Sequence, residues 1–363
     1  MSEDLKRELS VVRAEIDDID VRLLDLLNRR ACCAQQVGEI KSRHGEAGFI
    51  YRPEREAQVL RRLQDLNSGP LSNESVTWFF REVMSACLSL EQPLGIAFLG
   101  PLGSFTGCAA VKHFGHAARL MPQASIDDLF REVEAGHAEY AVVPIENSTE
   151  GAIGRTLDLL LATPLKICGE VVLRIHQHLL SKAASLSEIK TVYSHAQSLA
   201  QCHEWLNRTL PNVPRISVAS NSQAAQMAAS DPTVAAIAGE AAAELYAVPQ
   251  LASNIEDEPN NTTRFVILGR HDAGACGRDK TSLIMSATNQ TGSLSNLLAP
   301  FADAGVSMTR LESRPARHTL WEYVFFVDIE GHREDASVRA ALAELGQRAA
   351  YLKVLGSYPL AVY

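Results

Sequence analysis

Long apolar runs, blocks of one charge and paired cysteines are what this 363-residue chain lacks. No apolar stretch approaches the roughly 20 residues of a membrane helix. Residues 1 to 8 are mostly polar and charged, so neither a membrane span nor a signal peptide is expected. The net charge of −9 comes from interspersed acids and bases. That leaves no basic stripe for nucleic acid and no polybasic patch for a membrane surface. The seven cysteines are odd in number and scattered. Cys32 and Cys33 are adjacent, and no second pair with histidine follows at zinc spacing. They read as reduced, buried thiols of a cytoplasmic protein. No low-complexity segment occurs, and the length suggests two or three domains with sizeable cores.

What is present begins with a heptad seam. Leu5, Leu9, Val12, Ile16, Ile19, Leu23 and Leu26 recur at alternating steps of four and three, the pattern of a long helix packed on other helices. The next seam position is Arg30, after which Cys33, Val37 and Ile40 resume the pattern. An unpaired buried guanidinium costs on the order of several kcal/mol, so Arg30 needs an anionic partner. It is a structural ion pair, a charge that sets helix register, or part of an anion site. Lys41 returns to within about 20° of the same helix face, about 16 Å along the axis. The two side chains could therefore converge on one small anion. Arg13 faces elsewhere, about 25 Å from Arg30, and could reach such a ligand only from a partner chain.

Arg52-Pro53-Glu54-Arg55-Glu56 opens a second helix, with proline at an early position. A third, from about Ser72 to Glu91, carries Val76, Phe80, Val83 and Cys87 at helical spacing. Three helices of such unequal length make a poor monomeric bundle, whereas interlocking with a second copy would bury the long seam.

These residues resemble the all-helical chorismate mutases, which are intertwined dimers, over roughly residues 1–92. The resemblance implies that Arg13 of a partner chain and Arg30 clamp the two carboxylates of chorismate. It sets Lys41 at the ether oxygen and Glu56 at the ring hydroxyl, with Arg55 in support. The chain departs from the pattern at Arg52, where some members have Asp, at Glu91, where they have Gln, and at Cys87, where some have Ser.

After Glu91-Gln92-Pro93 strands and helices alternate to about Gly269, an α/β pattern. Its two repeats, before and after about Leu180, suggest two lobes around a cleft. Strands are expected at 95–100, 140–145, 168–180, 190–193, 216–219, 234–238 and 265–268. Helices are expected at 109–115, 126–135, 156–161, 199–207, 222–229 and 240–246. Polar clusters close several strands, where α/β sheets place ligands. They are Gly100-Pro101-Leu102-Gly103-Ser104-Phe105-Thr106, Glu146-Asn147-Ser148, Ser194-His195-Ala196-Gln197, Ser220-Asn221-Ser222 and Asn260-Asn261-Thr262-Thr263-Arg264-Phe265. Alone, the first is better read as a Gly-rich turn with a Ser or Thr helix cap than as an anion site. His195 is better read as a strand-end histidine hydrogen-bonded to backbone than as a catalytic base.

In this order the clusters resemble the prephenate dehydratase domain, over about residues 94–270, with a fold like the two-lobed periplasmic binding proteins. The resemblance makes Thr263 the residue needed for activity. It sets Ser104, Thr106, Glu146, Asn147, Ser148, Ser194, Gln197, Asn221, Thr262, Arg264 and Phe265 around the cleft. Leu102, Ser104 and Thr106 stand where that family has Glu, Thr and Ser. Gly269 to Asp279 reads as a short polar linker. Residues 281–363 then read as strand, helix, two strands, helix, strand, a ferredoxin-like α+β unit. Its strands are expected at 282–287, 307–312, 321–329 and 351–357, with a turn at Asn289-Gln290-Thr291. With Gly292-Ser293-Leu294 and Glu312-Ser313-Arg314-Pro315, the unit resembles a phenylalanine-sensing ACT regulatory domain, whose effector site these two segments would form.

The whole chain therefore resembles the bifunctional chorismate mutase/prephenate dehydratase family. That implies chorismate and prephenate as substrates, phenylalanine as feedback inhibitor, at least a homodimer, and no metal or organic cofactor. The alternative is a phenylalanine-responsive binding protein in which one or both catalytic sites have decayed.

Overall fold

The computed structural model describes residues 3–44, 51–288, 290–315 and 323–362. Asn289 and Trp321, expected in a turn and a strand, lie outside them. The N-terminal helix, α1 (Glu3–Arg43), contains no proline and one glycine. Its 41 residues span about 60 Å, with acids in the first turn and bases in the last, as the helix dipole favours. α2 (Pro53–Leu66) starts on its proline. α3 (Asn73–Glu91) is capped by Ser72, whose hydroxyl accepts the Ser75 N–H at 3.1 Å. α1 leans on α3, and the two approach closely at Gly38, where a Cβ would stand 3.1 Å from Glu91 Cγ. No residue of α1 is buried. Val12 is 54% and Leu26 56% exposed, so the heptad seam finds no cover within one chain.

The middle domain has two sheets. In chain order its first part is β1 (Gly95–Leu99), α4 (Phe105–Phe114), β2 (Arg119–Gln123), α5 (Ile126–Glu134), β3 (Tyr140–Asn147), β4 (Gly151–Ala152), α6 (Gly154–Ala162) and β5 (Lys166–Arg174). The second part is β6 (His178–Leu180), β7 (Thr191–Ser194), α7 (Ala196–Gln201), α8 (His203–Thr209), β8 (Arg215–Ser217), α9 (Asn221–Ser230), β9 (Val234–Ala238), α10 (Glu240–Tyr246) and β10 (Gln250–Ala252). β11 (Thr262–Gly269) returns to the first sheet, whose order is β2-β1-β3-β11-β5, while the second runs β10-β6-β9-β7-β8. The lobes therefore do not divide at one point in the chain. β11 is inserted antiparallel between β3 and β5.

Several elements differ from expectation for local reasons. The expected strand 168–180 is two strands in different sheets, broken at Ile175–Gln177. The expected helix 199–207 is two helices meeting at Cys202. α4 begins four residues earlier than expected because Ser104, not a later residue, caps it. Edge strands β2 and β10 have mixed exposed and half-buried residues, so neither shows a hydrophobic alternation.

The C-terminal domain comprises β12 (Asp279–Ser286), α11 (Ser293–Asp303), β13 (Met308–Pro315), β14 (Tyr323–Glu330), α12 (Ala336–Arg348) and β15 (Tyr351–Pro359). Its sheet runs β13-β14-β12-β15, antiparallel throughout. The segment expected to be a short polar linker is tied down. Arg61 of α2 reaches Cys276 Sγ, Arg278 O and Leu360 O, and His332 hydrogen-bonds to Ala273 O.

β15 lies directly on β5. A Cβ at Gly356 would sit 2.0 Å from the Ile167 carbonyl oxygen, so only glycine permits that approach. Lys353 donates to the carbonyls of Leu160, Leu161 and Thr163, satisfying the C-terminal end of α6. Beside this contact Arg264 donates to Glu170 at 2.9 Å, Asp328 at 2.5 Å and the Tyr358 hydroxyl at 2.9 Å. Lys280 also bonds Glu170, and Ser282 also bonds Asp328. Burial alone would raise the Asp328 carboxyl, but Arg264 and Ser282 hold it below the usual carboxylate range. Removing one partner of such a cluster leaves buried charge uncompensated. Arg264→Ala should therefore destabilise the joined middle and C-terminal domains by about 3–5 kcal/mol. Arg264→Lys should recover only part of that, since one ammonium cannot reproduce the planar fork. Thermal unfolding of the three proteins checks the order.

Candidate active sites

The first site lies where the C-terminal part of α1 meets the start of α2 and the end of α3. A cavity of about 290 Å³ is lined there by Arg30, Lys41, Arg52, Arg55, Glu56, Cys87 and Glu91, with Ala34, Val37, Tyr51, Val59, Met84 and Leu88. Four cations and two carboxyls thus share one concavity, as an anion site with a polar rim requires. The heptad seam brings Arg30 and Lys41 to it, and Pro53 turns the first residues of α2 toward it. Arg13 is exposed on the far part of α1 and does not line this cavity.

The two carboxyls are held differently. Glu56 accepts from Arg81 Nε at 3.3 Å and from the Tyr51 hydroxyl, yet burial raises its pKa. Glu91 Oε2 is buried and has no hydrogen-bond partner. Burial raises the pKa of Glu91 against the opposing pull of Lys41. Tyr51 and Arg81 had not been singled out in the sequence. Arg81 follows Phe80 but occupies no position of the stripe Val76, Phe80, Val83 and Cys87, so it lacks the signal that exposed Arg30. Tyr51 carries no such signal, because a buried tyrosine before a helix looks like ordinary core.

The second site is the cleft between the two sheets of the middle domain, about 510 Å³ in volume. Of the expected residues, Ser104, Thr106, Asn147, Gln197, Asn221, Thr263 and Phe265 line it. His195 also lines it, and its Nδ1 accepts the Gln197 N–H at 3.4 Å, a helix-capping bond to backbone. Ser104 both caps α4 and faces the cleft. The N-termini of α4 and α9, capped by Ser104 and Ser220, open toward the same space and favour anions there.

Thr263 is fixed by a chain of directed bonds. Asn147 Oδ1 accepts from the Thr149 and Glu150 backbone N–H groups at 3.0 and 3.2 Å and from the Thr149 hydroxyl. Its Nδ2 must therefore donate, and does so to Asn261 Oδ1 and to Thr263 Oγ1, both at 2.9 Å. With its oxygen occupied by a donor, the Thr263 hydroxyl keeps its own proton to give. In the facing lobe Asn221 Oδ1 accepts from the Ser194 hydroxyl and the His195 N–H, and its Nδ2 donates to Ser198.

Five expected cleft residues lie elsewhere. Side chains alternate along β11, so Thr263 and Phe265 face the cleft while Arg264 points away into the cluster with Asp328. Glu146 alternates likewise on β3 and pairs with Arg310 at 3.0 Å. Ser148 and Thr262 bind the Asn260 turn to the end of β3. Ser194 is fully buried and supports Asn221 from beneath. Conversely, Glu150, Gln177, Ser198 and Gln201 line the cleft without having been expected. Gln177 donates to Ser198 and Gln201, and Gln201 reaches Glu150 across the cleft. They come from loops and a short helix, where a polar residue is unremarkable in sequence.

The third group lies on the C-terminal domain. Gly292 adopts a left-handed conformation (φ 78°) before α11, followed by half-buried Ser293 and Leu294. Glu312, Ser313, Arg314 and Pro315 end edge strand β13. Neither segment lines either of the two cavities above. Arg314 instead reaches Asp158 on α6 at 3.1 Å, over Gly154, where a Cβ would meet its guanidinium. Among the described residues no cluster of His, Cys, Asp and Glu could hold a metal ion, and no helix is long and apolar enough to cross a membrane.

Three family models match the chain: chorismate mutase type II at residues 12–92, prephenate dehydratase at 96–273 and the ACT domain at 281–347. The chain is 56% identical to the bifunctional chorismate mutase/prephenate dehydratase of Neisseria gonorrhoeae, covering 100% of both proteins. It is 51% identical to that of Pseudomonas aeruginosa, covering 98% of both. Among solved structures, the prephenate dehydratase of Arthrobacter aurescens in complex with L-Phe is 34% identical with a TM-score of 0.68, over 73% of this chain and 90% of that one.

Proposed function

Since the chain belongs to the family of bifunctional chorismate mutase/prephenate dehydratases, we propose which of its residues carry each activity. The protein converts chorismate to prephenate and prephenate to phenylpyruvate. We assign the mutase to residues 1–92, the dehydratase to 94–270 and the regulatory ACT domain to 281–363. The shared cavity of Arg30, Lys41, Arg52, Arg55, Glu56 and Glu91 is the observation that carries the first assignment.

The mutase reaction is a pericyclic rearrangement that needs no nucleophile. Negative charge builds on the ether oxygen as its bond breaks, so catalysis is preorganised charge and conformational restriction. Arg30 binds a substrate carboxylate, Lys41 faces the ether oxygen and Glu56 the ring hydroxyl. Arg13 of a second copy completes the clamp in an intertwined dimer. The uncovered apolar seam of α1 supports that arrangement. Cys87 is a buried wall of the cavity.

In the dehydratase the bond to the ring carboxylate breaks, carbon dioxide leaves, and the electron pair enters the ring as hydroxide departs. With one proton the hydroxide becomes water, and aromatisation drives the step. Thr263 donates a hydrogen bond to the departing oxygen, because Asn147 already occupies its acceptor side. The helix N-termini at Ser104 and Ser220 suit the substrate carboxylates. Glu150, which lines the cleft, is a better proton source than Glu146, which is engaged by Arg310.

Phenylalanine acts at the ACT domain through Gly292 to Leu294 and Glu312 to Pro315. Two ion pairs link strand β13 to the cleft. Arg310 holds Glu146, next to Asn147, and Arg314 holds Asp158 on α6, just after the cleft-lining residues 151–153. An effector that binds one arrangement of β13 more tightly would shift the cleft through these pairs.

Lys41→Ala should lower mutase kcat on the order of 10²-fold with prephenate turnover unchanged. Thr263→Ala should abolish phenylpyruvate formation while prephenate accumulates from chorismate. Absorbance assays with each substrate read both, and equal loss of the two activities in either variant would refute the assignment.

Only protonated Glu91 can donate to the ether oxygen, and its carboxylate would repel the developing charge. Because its pKa is raised, the acid form persists above the usual carboxyl range and is lost as pH climbs through that pKa. Mutase kcat/KM should fall over that interval, and Glu91→Gln should hold activity at alkaline pH. Superimposable pH profiles would show that Glu91 is not the donor.

Arg314→Leu should retain dehydratase turnover but require about tenfold or more phenylalanine for half-inhibition, the scale of a typical coupling energy. Inhibition curves with and without the substitution measure it.

A further inference from the structure

Glu56 is the mutase-site carboxylate whose hydrogen bonds lead, through Tyr51, out of the helical domain. Tyr51 lines the mutase cavity, yet it is buried in the same apolar core as Phe114 and Tyr140 of the dehydratase domain. Its hydroxyl bonds Glu56 and stands 3.0 Å from Nε2 of His113 on α4. A carboxylate can only accept, so the single hydroxyl proton goes to Glu56. Nε2 of His113 then donates its N–H to the tyrosine oxygen. Burial, with Arg81 nearby, pushes the His113 pKa down to about 3, so the ring is neutral and has one N–H to give. Arg81 holds Glu56 from its own domain at 3.3 Å.

Resting on the mutase assignment above, we propose that His113 of the dehydratase domain is a positioning residue for the chorismate mutase reaction, acting through Tyr51 on Glu56. The mutase cavity of this chain is then incomplete without its neighbouring domain. His113 lies near the C-terminal end of α4, and the N-terminal end of the same helix, at Thr106, faces the dehydratase cleft. The two active sites thus share one helix.

The experiment uses the full-length protein and steady-state kinetics with chorismate and, separately, prephenate. Tyr51→Phe keeps both ring contacts and removes only the hydroxyl. It should lower mutase kcat about tenfold, the scale of one hydrogen bond to a charged group, and leave prephenate turnover unchanged. His113→Leu should produce a similar mutase loss, and His113→Gln, whose amide nitrogen can donate in place of Nε2, should restore most of it. Tyr51→Phe combined with His113→Leu should lose no more than either alone, because both break one chain of bonds. Wild-type mutase kinetics in folded Tyr51→Phe would overturn the proposal and leave a buried Tyr–His pair of purely structural value. So would losses that multiply in the double variant, failure of His113→Gln to recover activity, or an equal fall in prephenate turnover by Tyr51→Phe. A wild type without mutase activity would instead refute the underlying assignment.

Discussion

The Arg264 guanidinium sits between the dehydratase and ACT domains with three of its nitrogens committed to Glu170, Asp328 and Tyr358, and the placing of β11 depends on it. β11 is threaded antiparallel between β3 and β5, so it is held on both edges by backbone bonds. What remains to be set is how firmly its residue 264 is anchored on the outer face, since that fixes residue 263 on the inner one. Alternation along a strand makes the two inseparable. A charge that would be costly to bury alone is tolerable here because both acids and a hydroxyl surround it. The same cluster includes Ser282 and Lys280 of the ACT sheet. Thr263 and the ACT domain therefore rest on one set of bonds.

The ACT domain grips α6 as well, with Lys353 at its C-terminal carbonyls and Arg314 at Asp158, midway along it. α6 follows directly on the loop that lines the cleft. A rigid helix held at its middle and at its C-terminal end can transmit a displacement of β13 without needing a deformable core between the sites. Gly154 and Gly356 make these contacts possible, since any side chain at either position would occupy space already taken by Arg314 or by Ile167.

In the mutase cavity the charges are not equivalent. Arg30 and Lys41 come from a helix with no buried residue, so their setting is completed by whatever covers α1. Glu56 is already enclosed, between Arg81, Tyr51 and the dehydratase helix α4. One half of the site thus lies on an uncovered helix and the other at the junction of two domains. That division is consistent with a bifunctional chain whose two reactions use separate cavities while sharing core residues such as Tyr51.

Periodicity and motif order alone established much of this protein. The seam from Leu5 to Ile40 determines a single long helix, because only a helix brings positions three and four apart to one face. The interruption at Arg30 marked a residue that lines a cavity with Lys41, Arg52 and Arg55. Pro53 and Ser72 marked helix starts through local chemistry that acts within a few residues. The order of Glu146-Asn147-Ser148 and Thr262-Thr263-Arg264 pointed to two strands that pair side by side. Which side each of those residues faces was beyond the sequence, because strand register and the insertion of β11 between β3 and β5 are decided by pairing between strands far apart in the chain. So Arg264 and Glu146 proved to bind the ACT domain, and Glu150, Gln177 and Gln201 proved to line the cleft. Tyr51 and His113 were invisible as a pair for the same physical reason: a hydrogen bond spanning 62 positions leaves no periodic trace, and only the packing of one domain on another brings its ends together.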